Sequence, residues 1–244
     1  MASSDSKDSG GESSRHETNA TDHNNNSLPL IQFQENSSII VTGSSKSGKT
    51  YWINKFLQQL DQMFAGTAPS EVLYYFLHDQ PLYAEMRENL KDRITFREGV
   101  PSLNDIMEFA KDDQHRLIIL DDVMHLIVDN KDISLLFTNL VHHKKMSCMI
   151  VYQNLFSAGK YARTISVNAD YLVVFKNVRD KSQIAYLGRQ LYPGKQAKMF
   201  MAAYMDAVKS PHSYLVIDMT VTTNDMYRLR SHIFPGEQMI IYQI

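Results

Sequence analysis

Cysteine is nearly missing from this 244-residue chain, Cys148 being the only one. A single thiol excludes an internal disulfide and leaves a cysteine-based zinc site without ligands. Set in the apolar run Cys148 to Tyr152, it reads as a small buried hydrophobe. Long apolar runs are missing too. None approaches the ~18 residues of a membrane span, and the N-terminus has no apolar signal core. A soluble, intracellular protein in a reducing compartment is therefore expected, with no membrane partner. Charge of one sign is also not in excess: 25 Lys and Arg stand against 27 Asp and Glu, net −2. Residues 1–27 hold two of the basic and five of the acidic side chains, leaving 23 and 22 for the remainder. That excludes a broadly basic surface, so any DNA contact must come from a local patch or from summing subunits around an assembly. The C-terminal stretch lacks the carboxylate cluster of a nuclease.

What is present suffices for a core, with 43% hydrophobic and 10% aromatic residues; the length allows one domain with a tail. Residues 1–27 are mostly Ser, Asp, Asn, Gly, Glu and Thr. Such a segment buries too little to offset its ordering entropy, so a disordered tail is expected, with the domain over 28–244. Beyond it, strand-like and helix-like runs alternate. The strand-like runs are Ile39–Thr42, Val72–Leu77, Arg93–Phe96, Leu117–Leu120, Met149–Tyr152, Tyr171–Phe175 and Tyr214–Ile217. The helix-like runs are Lys49–Met63, Leu103–Lys111, Ile133–His143, Lys181–Leu191 and Lys195–Val208. This alternation predicts an α/β fold with a mainly parallel sheet covered on both faces.

The octapeptide Gly43 to Thr50, GSSKSGKT, follows the apolar run Ser38 to Val41 and opens a helical pattern. It fits G-x-x-x-x-G-K-[ST], the phosphate-binding P-loop, in the strand–loop–helix setting that loop needs. Gly43 and Gly48 let the backbone of Ser44, Ser45, Lys46 and Ser47 wrap a phosphate, so that N–H groups and the helix N-terminus face the anion. Lys49 is spaced to reach the β- and γ-phosphates, the Thr50 hydroxyl to bind Mg²⁺, and Tyr51 completes the expected ATP-binding stretch. The fold expected is thus a P-loop NTPase of the ASCE, RecA-like kind, a three-layer sandwich.

The run Arg116-Leu-Ile-Ile-Leu-Asp121-Asp122 describes a buried strand with acids at its C-terminal edge. Asp121 is assigned to Mg²⁺ beside Thr50, and Asp122 to the general base of an ATPase; the bland alternative is that Asp122 caps the next segment. The strand Cys148 to Tyr152 ends in Gln153 and Asn154, and Gln153 is read as a sensor of γ-phosphate or lytic water rather than a turn amide. His142, His143, Lys144 and Lys145 lack metal-ligand spacing and read as a basic helix C-terminus. Lys195, Lys198 and Lys209 read as a solvated face or a phosphate track.

Together, the P-loop, ILDD, HHKKMSCMIVYQNLF (His142 to Phe156) and NADYLVVFKNVRDKSQIAYLGRQLYPG (Asn168 to Gly194) resemble the A32-type packaging ATPases. These belong to the FtsK/HerA superfamily of large DNA viruses, virophages, adenovirus-like elements and Polinton/Maverick transposons. FREGVPSL (Phe96 to Leu103) and HIFPGE (His232 to Glu237) resemble the same set, and the Polinton or adintovirus-like branch fits best. The resemblance implies a motor that uses ATP to move double-stranded DNA into a preformed capsid. It implies a homo-oligomeric ring, a pentamer or hexamer, at a capsid vertex in the nucleus or cytoplasm of an infected cell. It also implies an arginine donated to the neighbour's ATP. Arg163 and Arg179 are the candidates, each with a surface ion-pair role as its alternative; Val178 stands where many family members have proline. A nucleoside or nucleotide kinase and a low-turnover assembly scaffold are the competing readings.

Overall fold

The structure, a computed structural model, describes residues 15–17, 32–156 and 158–244. Most of the expected tail lies outside the described residues. The first strands are β1 (Arg15–Glu17), β2 (Phe33–Gln34) and β3 (Ser38–Thr42), and the P-loop then leads into α1 (Lys49–Gln58). Next come α2 (Leu60–Met63), β4 (Phe64–Ala65), β5 (Glu71–Phe76), α3 (Pro81–Leu90), β6 (Ile94–Glu98) and α4 (Leu103–Phe109). The middle of the chain holds β7 (Arg116–Asp121), α5 (Met124–Ile127), α6 (Lys131–Leu135), α7 (Val141–His143), β8 (Met146–Tyr152) and α8 (Ala162–Val167). It closes with β9 (Tyr171–Phe175), α9 (Lys181–Leu191), α10 (Gln196–Ala207), β10 (Tyr214–Asp218), β11 (Leu229–Ser231) and β12 (Ile240–Tyr242).

Ten strands form one sheet in the order β1-β12-β11-β10-β9-β3-β8-β7-β5-β6. The six from β9 to β6 run parallel, and β10, β11, β12 and β1 extend them antiparallel. Strand β8 lies between the P-loop strand β3 and the acid-bearing β7, so all three deliver their C-terminal ends to one edge. Their apolar runs are continuous because both faces are covered. Ile39 and Val41 face α1 and α3, where Trp52, Ile53, Phe56, Tyr83 and Met86 pack. Ile40, Ile118 and Leu120 face the opposite layer, with Phe137, Ile165, Leu187 and Phe200. The expected three-layer α/β sandwich is thus the one found.

The departures are local. The helix expected over Lys49–Met63 breaks at Gln59, and the one over Ile133–His143 carries a π segment at Leu136–Leu140 between α6 and α7. Helix α3 was not expected, although Pro81 at its start and the spacing Tyr83, Met86, Leu90 give it one buried face. Helix α8 and the hairpin of β11 and β12 were missed as well, being short elements. The segment before β12 nonetheless braces the P-loop helix: Phe234 lies 5.6 Å from the Trp52 ring, and Glu237 pairs with Lys55. Cys148 is fully buried, as expected, and burial pushes its thiol pKa up.

Candidate nucleotide site

The phosphate loop is held from below. Gly43 N–H donates to Tyr152 O (3.3 Å), Ser47 N–H to Ser44 O (3.2 Å), and Ser44 Oγ to Lys176 O (3.1 Å). A Cβ on Gly43 would lie 2.6 Å from Phe175 Cβ, so only glycine lets the loop pass this close to β9. Gly48 caps α1 at φ 104°, in the left-handed region that glycine enters without strain. Lys46 also has positive φ, at 63°. Lys49 Nζ reaches back to Gly43 O (2.8 Å) and Ser44 O (3.1 Å), across the loop it follows. Burial lowers its pKa, opposed by the charges of Asp121 and Asp122.

A cleft of about 430 Å³ opens over this loop, lined by Ser45, Lys46, Gly48, Lys49, Thr50 and Tyr51. Asp121 and Asp122 enter it from β7 and Gln153 from β8. Gly43, Ser44 and Ser47 form the body of the loop rather than the cleft wall. The residues that the sequence analysis separated by a hundred positions therefore meet at one strand edge.

The two acids differ in surroundings. Asp121 is 2% exposed, and its Oδ2 accepts hydrogen bonds from Tyr74 Oη (2.6 Å) and Tyr83 Oη (2.9 Å). Burial raises its pKa despite these two donors and the nearby Lys49 ammonium. With Oδ2 doubly bonded, Oδ1 is the atom left to meet a ligand in the cleft. Asp122 is exposed and sits at φ 57°, a left-handed conformation rare outside glycine. Its Oδ1 accepts a bond from Gln153 Nε2 (3.0 Å), so the residue after β8 aims its amide at the second acid. The donor set suits a magnesium nucleotide: a hard carboxylate oxygen and a hydroxyl for the metal, with backbone N–H groups and a lysine for phosphates. No cluster of His, Cys, Asp and Glu able to hold a metal by itself occurs among the described residues.

Four contributors to the site carry no recognisable signal in the sequence. Tyr74 and Tyr83 grip Asp121 from strand and helix positions 47 and 38 residues away, beyond the reach of any local pattern. Gln80, at the N-cap of α3, and His212, just before β10, line the cleft. His212 has φ 62° and packs on Gly48. Ser210-Pro211-His212 forms a turn, and nothing in its sequence points to the P-loop.

Neither arginine enters the cleft. Arg163 is exposed on α8 and borders a separate apolar groove of about 730 Å³ with Phe156, Val167 and Tyr186. Arg179 is exposed in the turn after β9, where Asn177 Oδ1 accepts bonds from the N–H groups of Arg179 and Asp180. The neighbouring Asp180 is occupied in capping α9 through Ser182 N and Gln183 N. Among the described residues neither guanidinium forms an ion pair. The basic cluster His142 to Lys145 lies at the start of β8, the edge opposite the cleft, where Lys145 pairs with Asp113 (2.9 Å). Lys209 pairs with Asp206, while Lys195 and Lys198 are exposed. No helix among the described residues is long and apolar enough to cross a membrane.

No protein-family model and no curated protein sequence matches the chain. Solved structures do. The genome packaging NTPase B204 from Sulfolobus turreted icosahedral virus 2, in complex with ATP-gammaS, aligns at TM-score 0.52 and 13% identity over 77% of this chain and 95% of that one. The same NTPase in complex with AMPPCP gives 0.53 and 13% over the same shares. B204, the DNA-packaging ATPase from Sulfolobus Turreted Icosahedral Virus, gives 0.51 and 12% over 77% of this chain and 94% of that one. At such identities the likeness is one of fold: the chain has the fold of these P-loop NTPases.

Proposed function

We propose that the protein is an ATPase of the A32-like packaging type, which uses ATP hydrolysis in a homo-oligomeric ring to drive double-stranded DNA into a viral or virus-like capsid. The observation that carries the enzymatic part is the convergence of Lys49, Thr50, Asp121, Asp122 and Gln153 on one cleft. The fold shared with packaging NTPases, together with the motifs from His142 to Gly194, supports the packaging part.

The geometry supports the following roles. Loop N–H groups and Lys49 bind the phosphates, and Lys49 exchanges its bonds to Gly43 O and Ser44 O for phosphate oxygens. Thr50 and Asp121 would hold Mg²⁺, which would supply positive charge against the phosphate oxygens. Asp122 takes the proton of a water as its oxygen bonds to the γ-phosphorus. The bond from phosphorus to the β–γ bridging oxygen breaks, and ADP leaves with that electron pair. Gln153 fixes the Asp122 carboxylate through Nε2 and keeps its own carbonyl oxygen to accept from the water. An arginine from a neighbouring subunit, Arg163 or Arg179, neutralises charge developing on the transferred group. Their exposure and lack of an ion-pair partner among the described residues suit such a role.

Hydrolysis measured against protein concentration, with and without double-stranded DNA and beside Asp122→Asn, tests this. Steep concentration dependence and DNA stimulation, both lost in the variant, are expected. Flat, DNA-blind turnover would remove the motor reading.

A further inference from the structure

We propose that Tyr51 and His212 form the nucleobase end of the cleft and take a purine by stacking against their rings. The proposal rests on the nucleoside triphosphate reading above and adds the part of the substrate that the phosphate loop cannot distinguish.

Sheet order says which end of the cleft is which. The acids and Gln153 come from β7 and β8, on one side of the P-loop strand β3. Strand β9 and then β10 lie on the other side. His212 stands two residues before Tyr214, whose sheet partner is Phe175 at the C-terminal end of β9. It therefore reaches the cleft edge from the side away from the attacking water. A triphosphate with its γ end at Asp122 has its sugar and base pointing toward that side.

The residues waiting there are aromatic. Tyr51 is 62% exposed, an unusual state for a large ring at a helix start, and it lines the cleft together with His212. Their centroids are 6.4 Å apart, with the planes at 40°. His212 is held in place by the loop. Its Nδ1 lies 3.4 Å from Ser47 O, and a Cβ on Gly48 would fall 2.7 Å from the same nitrogen. The ring thus occupies the space that a side chain at residue 48 would need. Its backbone is left-handed, φ 62°, a region that histidine enters more readily than most residues. Stacking on a ring is indifferent to hydrogen-bond pattern but grows with the size of the base, which favours purines over pyrimidines.

Equilibrium binding of the full chain to ATP, CTP and inorganic tripolyphosphate, each with Mg²⁺, separates base from phosphate. Wild type should prefer ATP to both other ligands. Tyr51→Ala and His212→Ala should each weaken ATP binding about tenfold, within the range of base–aromatic stacking, and leave tripolyphosphate binding unchanged. Tyr51→Phe, which keeps the ring, should bind ATP like wild type. Unaltered ATP affinity in both alanine variants, or parallel loss of ATP and tripolyphosphate, would overturn the proposal. A wild-type protein that binds tripolyphosphate as tightly as ATP would overturn it while leaving the phosphate site standing. Failure to bind either ligand would instead remove the nucleotide reading itself, and this one with it.

Discussion

Asp121 is a carboxylate that the fold makes expensive to ionise and then steadies with two phenols. The bonds from Tyr74 and Tyr83 to Oδ2 fix its rotation, which is what a metal ligand needs. Tyr83→Phe removes one of them without changing shape. The variant should lose about 1 kcal/mol of stability in chemical denaturation. It should also need several-fold more Mg²⁺ for half-maximal hydrolysis; an unchanged Mg²⁺ requirement would limit Tyr83 to packing. A second buried group makes the fold sensitive to acid. His115 Nδ1 donates to Thr67 O (2.6 Å), and its Nε2 lies 2.9 Å from Ser147 Oγ. Burial lowers its pKa from the ordinary 6.5. The unfolded chain therefore takes up a proton first as pH falls, so the stabilisation is complete above about 6.5 and declines below it. Urea midpoints measured from pH 7.5 to 5.5 should fall, and His115→Gln should flatten that part of the curve.

The strand–loop–helix unit of β3, the P-loop and the start of α1 was legible in the sequence, because Gly43, Gly48, Lys49 and Thr50 fall within one short segment, whereas the break at Gln59 was not. Strands β7, β8 and β9 were legible for a similar reason: buried on both faces, they read as unbroken apolar runs. What escaped were relations between elements. Helix α3 carries a readable face in Tyr83, Met86 and Leu90, yet its bond to Asp121 exists only once β5, β7 and α3 are stacked. The link between His212 and Gly48 likewise arises from placing β10 beside β9. Gly48→Ala tests that junction. It forces φ 104° on a residue with a Cβ and pushes that atom against His212, at a cost of about 1–3 kcal/mol. ATP affinity should drop at least tenfold in calorimetric titration while the far-ultraviolet spectrum stays native; wild-type affinity would mean that the loop can yield.

At the scale of the whole molecule, the cleft is lined by the P-loop, two acids and Gln153 but by no arginine among the described residues, and neither Arg163 nor Arg179 lines it. A ring would complete it. Mixing Lys49→Ala with either Arg163→Ala or Arg179→Ala should then recover part of the hydrolysis that each lacks alone, because a mixed interface pairs an intact P-loop with an intact arginine. Recovery with one arginine variant and not the other identifies the finger; no recovery with either argues for a site complete within one subunit. The brace of Phe234 and Glu237 against Trp52 and Lys55 bears on how the molecule is made. Ser47 and His212 are 165 residues apart, and Lys55 and Glu237 are 182 apart. On a ribosome the phosphate loop thus emerges on the order of ten seconds or more before the residues that cover its helix. Until they arrive, Trp52 faces water, and the nascent chain carries a sticky aromatic surface that a chaperone can shield. On the proposed function, nucleotide capture would then be a late event in biosynthesis, one that reports the arrival of the chain's distal third.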